Sequence, residues 1–106
     1  MICYVMTEEE WSYAREEDEY WPDNFDELGY IPCADPEYLH QLIFEMNLAD
    51  ESIYVLKMDP QHIESVIIHE DVHEQGIMFP HIYGYINLDA VISAEPFSRD
   101  SAPLSS

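Results

Sequence analysis

Basic residues are almost missing from this chain of 106 residues: Lys57, Arg15 and Arg99 stand against 23 acids, a formal charge of −20 at pH 7. Nucleic acids and anionic lipids are held through Lys and Arg, so direct nucleic-acid binding and attachment to a charged membrane are excluded as roles. Cysteine is scarce as well. Cys3 and Cys33 follow no metal or disulfide spacing, and two buried free thiols in a reducing, cytoplasmic setting are the expectation. No apolar run reaches membrane-spanning length, and no signal peptide or internal repeat is visible.

What is present suffices for a fold. Hydrophobic residues make up 47% of the chain, enough for one domain with its own core, expected over residues 1–97, with 98–106 as a disordered tail. The acidity itself has three readings: a solvated surface, screened in high salt where the Debye length falls to roughly 3 Å at 1 M; a face for a basic protein partner; or a mimic of nucleic acid. The first asks least of the geometry.

Along the chain, Ile2 to Met6 reads as a strand, and Thr7 with Glu10 forms a capping box opening a helix to Glu17, with Trp11 and Ala14 on its inner face. Residues 16–27 are acidic and broken by Pro22 and Asn24, a surface loop with Tyr20, Trp21 and Phe25 packed beneath it. Leu28 to Cys33 is a strand cut by Pro32. Asp35 and Pro36 open a second helix carrying Leu39, Leu42, Ile43 and Met46 at core spacing, with Asn47 as its stop. Strands follow at Ser52 to Met58, Val66 to Ile68 and Val91 to Phe97, the last expected in the core.

His69, Glu70, Asp71, Val72 and His73 spell a zinc-protease pattern. On a helix both imidazoles share a face and Glu70 is placed as a base. The preceding Val66, Ile67, Ile68 favours a strand, where residues four apart lie about 13 Å from each other and cannot chelate one ion. The third ligand is also missing, since Phe79 stands where the longer signature needs it. Metalloprotease is therefore the remote alternative, and no metal site is expected.

The densest chemistry lies in Phe79, Pro80, His81, Ile82, Tyr83, Gly84. Together with Thr7, Glu8, Glu9, Glu10, Trp11, with Gly29, Tyr30, Ile31, Pro32, Cys33, Ala34, with Asp59 and Pro60, and with Leu88, Asp89, Ala90, Val91, it resembles the bacterial family called domain of unknown function 952, in preserved order from Met1 to about Phe97. The resemblance implies an α+β domain of mostly antiparallel strands and two main helices, ADP-ribosyltransferase-like, around a cleft that in enzymes of the wider group holds NAD. It supplies no reaction. Two departures weaken a nucleotide site: Pro32 stands in place of a family histidine, and Tyr4 stands where many members have histidine near the end of the first strand.

For a nucleotide, an NAD-like ligand above all, the residues on offer are Tyr4, Arg15, Tyr30, His81, Tyr83 and Gly84; for catalysis, His81 or Tyr83 as donors and Glu70 as the carboxylate. Each has an ordinary role too: His81 as a satisfied buried histidine, Tyr83 at the core edge, Glu70 on the surface, Gly84 as a positive-φ residue. Alternation along the strands gathers His81, Tyr83, Tyr30 and Tyr4 around one concavity. The expectation is a cleft that holds NAD weakly or not at all, the alternative being a non-catalytic acidic interaction module.

Overall fold

The first strand shows how the sequence builds this fold. In β1 (Ile2–Thr7), Ile2, Tyr4 and Met6 alternate to one side and Cys3 and Val5 to the other, and each set enters a different buried cluster. A strand covered on both faces reads as an unbroken apolar run. The computed structural model describes residues 1–48 and 51–97. The tail expected at 98–106 lies outside the described residues.

Thr7 caps α1 (Glu8–Ala14), its hydroxyl accepting from the Glu10 amide at 3.1 Å. The helix stops at Ala14 rather than Glu17. Ala14 is its last buried residue, and Glu16, Glu17 and Asp18 would crowd like charge onto the negative end of the helix dipole. The loop expected next is more ordered than its composition implies: it holds β2 (Glu19–Tyr20) and a single helical turn, α2 (Phe25–Leu28). Gly29, at φ 80°, caps that turn in the left-handed region. Leu28 is therefore helical, and the strand expected from it shrinks to β3 (Ile31–Pro32). Trp21 is half exposed, edge-on to Phe25, while Tyr20 is buried as expected.

Asp35 and Pro36 start a 3-10 turn, Pro36–Tyr38, that runs into α3 (Leu39–Glu45), whose Leu42 and Ile43 pack on Val5, Ile53 and Val55. Asn47, at φ 62°, ends the segment. There follow β4 (Ile53–Met58), β5 (Val66–Glu70), β6 (Phe79–Tyr83), β7 (Ile86–Asn87), a 3-10 turn at Leu88–Ala90 and β8 (Val91–Pro96). Among the described residues all strand pairings are antiparallel, in two three-stranded sheets, β1-β4-β8 and β3-β6-β5, and a short ribbon, β2-β7.

The segment after β3 ties the sheets together. Ile31 and Pro32 pair with Ile82 and His81, and two residues later Ala34 exchanges both backbone hydrogen bonds with Cys3 of β1, at 2.7 and 3.0 Å. The main core lies between the sheets, from Tyr4, Met6, Leu56 and Met58 across to Ile31 and Ile82. Cys3 and Cys33 are buried free thiols, and burial pushes both above the ordinary thiol range. The expected core role of the last strand holds only in part: Val91 and Ala94 pack against the main core and Phe97 against the second cluster, but β8 is an edge strand with β4 as its neighbour, and Ile92 is exposed. The architecture is a compact α+β domain, and among the described residues no helix is long and apolar enough to cross a membrane.

Candidate functional site

Alternation along β6 sends Pro80 and Ile82 to one side, with Ile82 in the core, and Phe79, His81 and Tyr83 to the other. The antiparallel register with β5 brings Glu70 beside this second face. His81 is 1% exposed, and its Nδ1 lies 2.7 Å from Glu70 Oε1. The same oxygen accepts the Tyr83 hydroxyl at 2.5 Å. Above the imidazole the Tyr30 ring stacks with centroids 4.1 Å apart and planes 12° from parallel. The ring is thus fixed in position and in rotation. A neutral imidazole giving its Nδ1 proton to the carboxylate keeps Nε2 as an acceptor, and Nε2 has no partner among the described residues. The Tyr83 and then the His81 hydrogen bonds hold Glu70 below the usual carboxylate range, while donation to Glu70 pushes the Tyr83 phenol up to about 12.

His81 lines a cavity of about 510 Å³ whose walls also include Tyr30, Pro32 and Phe79, with Leu42 and Glu45 of α3 and Met46 at the end of that helix. Tyr4, Asn24 and Met46 continue from this lobe into a second, of about 400 Å³, bordered by Glu9, Glu10, Tyr13 and Asp23. Tyr4 is 3% exposed, and its hydroxyl has no hydrogen-bond partner among the described residues. Burial first, and the nearby Glu10 next, push its phenol upward, so it stays protonated. Glu10 accepts the Tyr20 hydroxyl. Desolvation and the neighbouring Asp23 raise its carboxyl, against a lowering hydrogen bond from the Thr7 backbone.

Tyr4, Tyr30 and His81 therefore meet in one concavity, as the alternation predicts. Tyr83 stands at its margin, against Tyr30 and Glu70, and is not part of its lining. Glu70 acts from behind His81. Arg15 caps the end of α1 and reaches neither lobe. Gly84 is also outside; a Cβ there would overlap the Ser65 hydroxyl and come 2.8 Å from Ser65 Cβ, so the glycine makes room for a side chain rather than a ligand.

The zinc-protease pattern has no helix to work on. His69 lies in β5 on the face opposite Glu70, and His73, in the loop beyond, bonds Glu45 at 2.7 Å. Among the described residues no three His, Cys, Asp or Glu side chains are grouped to hold an ion. The cleft fits NAD poorly on its own chemistry, for its described lining contains no Lys or Arg for a pyrophosphate and includes Glu9, Glu10, Asp23 and Glu45. Sequence reasoning saw Glu10 only as a helix cap and passed over Asp23 and Glu45. The capping box was the available signal for Glu10; nothing local distinguishes Asp23 or Glu45 in so acidic a chain.

Two small antiparallel sheets joined through one extended segment, with a buried, carboxylate-oriented histidine in the cleft beside them, define the class. Residues 5–94 match the family described as "Protein of unknown function (DUF952)", and the chain belongs to that family. Its fold is similar to the crystal structure of protein CC0527 from Caulobacter crescentus, with a TM-score of 0.79 at 16% identity over 94% of this chain and 88% of that one. A double mutant of the same Caulobacter protein superposes equally well, with the same TM-score of 0.79. No curated protein matches the chain in sequence.

Proposed function

We propose that this is a cytoplasmic small-ligand cleft protein on an ADP-ribosyltransferase-like fold, with His81 as its working group and with the dinucleotide site of that fold degenerate. One observation carries the reading. A histidine side chain almost wholly withdrawn from solvent lines the cavity and is held by Glu70 at one nitrogen and by Tyr30 across its face, while its other nitrogen has no partner among the described residues. A histidine serving only the core has no need of an open acceptor. Nε2 is suited to accept a hydrogen bond from a ligand, or a proton if the ligand reacts.

Pro32 adds weight against ADP-ribosyl transfer, since it borders the same cavity with no side-chain donor or acceptor. The test is a ligand screen by amide and imidazole NMR shifts across neutral, anionic and cationic small molecules. At least one class should move His81 and Tyr30 together, and His81→Gln should abolish the response. Micromolar NAD affinity would overturn the degenerate-site reading, and silence from every class would overturn the cleft itself. The second reading, an acidic module for a basic protein partner, draws on the formal charge of −20 and the run of exposed acids from Glu16 to Glu19.

A further inference from the structure

We infer that the cleft takes an organic cation, an amine or guanidinium on an apolar stem, seated with its charge in the lobe of Glu10 and Asp23 and its stem against Tyr4 and Met46. The inference rests on the cleft being a ligand site and adds the chemistry of its occupant.

Three features support it. The described lining of both lobes holds four carboxylates and no Lys or Arg, so the site itself offers the acids no permanent counter-charge. Among the described residues, Glu45 is the one of the four paired with a basic side chain, His73. Secondly, the Tyr4 hydroxyl is buried and has no hydrogen-bond partner among the described residues, and Tyr4 lines both lobes where they join. A hydroxyl removed from water without a partner is costly, and a ligand at the junction satisfies it. Finally, burial first and the neighbouring Asp23 next raise the Glu10 carboxyl, and a cation seated between the two acids offsets the second of these. Asn24, shared by both lobes, and the aromatic rings of Tyr4, Tyr13 and Tyr30 suit the same guest, because an ammonium or guanidinium is attracted to an aromatic face.

General attraction of cations to so acidic a surface must be separated from a site. Agmatine and benzylamine titrated into the protein in 0.3 M NaCl, followed by amide NMR, provide the test, with AMP and glucose as anionic and neutral probes. The expected result is saturable shifts confined to Tyr4, Asn24, Met46 and their neighbours, at least tenfold weaker binding in Asp23→Asn and Glu10→Gln, several-fold weaker binding in Tyr4→Phe, and no change in Glu51→Gln, an exposed acid that lines neither lobe. Shifts scattered over the acidic surface, or weakened as much by Glu51→Gln as by Asp23→Asn, overturn the inference. If AMP or glucose binds at His81 and the amines do not, the cleft stands and its cation preference falls. If no probe binds, both fall.

Discussion

The two lobes of the cleft treat the same kind of side chain in opposite ways. Behind the His81 lobe, Glu70 receives two hydrogen bonds on one oxygen and is held below the usual carboxylate range. In the Tyr4 lobe, Glu10 is half-buried beside another acid and is pushed above that range, although it too accepts a tyrosine hydroxyl. A hydrogen bond does not by itself decide how a carboxylate titrates. Desolvation and a like-charged neighbour outweigh it in one lobe, while an exposed carboxylate with two partners shows the bonds' full effect in the other.

The comparison is broken most forcefully at Glu10. Glu10→Ala should cost about 1–3 kcal/mol of stability by urea denaturation, because the buried Tyr20 loses its acceptor. Glu10→Gln keeps an acceptor and removes the repulsion, and should leave the midpoint unchanged or raise it. Equal losses from the two variants would show that packing, not charge, governs this lobe.

The pH dependence has opposite signs in the two lobes. The raised Glu10 contributes stability that is complete below its unfolded value, near 4.5, and is lost as pH rises through its raised folded value. The lowered Glu70 contributes stability present above 4.5 and lost as pH falls through its folded value. Acidifying from pH 7 to 4.5 should therefore raise the urea midpoint of the natural protein more than that of Glu10→Gln. Below pH 4.5, Glu70→Gln should lose less than the natural protein, by a small margin, since exposed pairs are screened by solvent. Identical profiles in all three proteins would remove the distinction between the lobes.

Smaller effects sharpen it. Asp23→Asn should stabilise the fold by no more than about 0.5 kcal/mol, as expected of a surface change that relieves repulsion, and a carboxyl NMR titration should show Glu10 returning toward 4.5. The smallest effect on stability is expected from Glu70→Gln at neutral pH. Its signature is spectroscopic: the Tyr83 phenol, now at about 12, should fall toward 10 in an ultraviolet titration.

How much of this was legible in the sequence depended on strand length and on partner distance. β1 and β4 announce themselves through six-residue apolar strands, and alternation correctly gathered Tyr4, Tyr30 and His81. β2 and β7 span two residues each, too short for any period, and α2 has one turn. β8 carries apolar residues like a core strand but is far more exposed than β1, the opposite edge of the same sheet, whose Cys3 bridges to Ala34 and whose Val5 packs with Leu42 and Ile43; which edge is covered is a property of topology. The Glu10 to Tyr20 bond joins a helix to a strand ten residues later, and neither residue's neighbours signal it. Glu70, by contrast, was noticed for a zinc motif and as an acid, and the strand register gave it a different task, orienting His81.

The strand order also sets a timetable for folding. β5 and β6 form a local hairpin, with Glu70 opposite Phe79, so Glu70, His81 and Tyr83 can be aligned by a short loop closure. β1 must wait for β4, with Ile2 opposite Met58, and β4 for β8, with Tyr54 opposite Pro96. Contacts so distant in sequence slow folding. The histidine hairpin can therefore be assembled before the sheet that supports the Tyr4 lobe is complete, and pulse-labelled hydrogen exchange should show β5 and β6 amides protected ahead of those in β1.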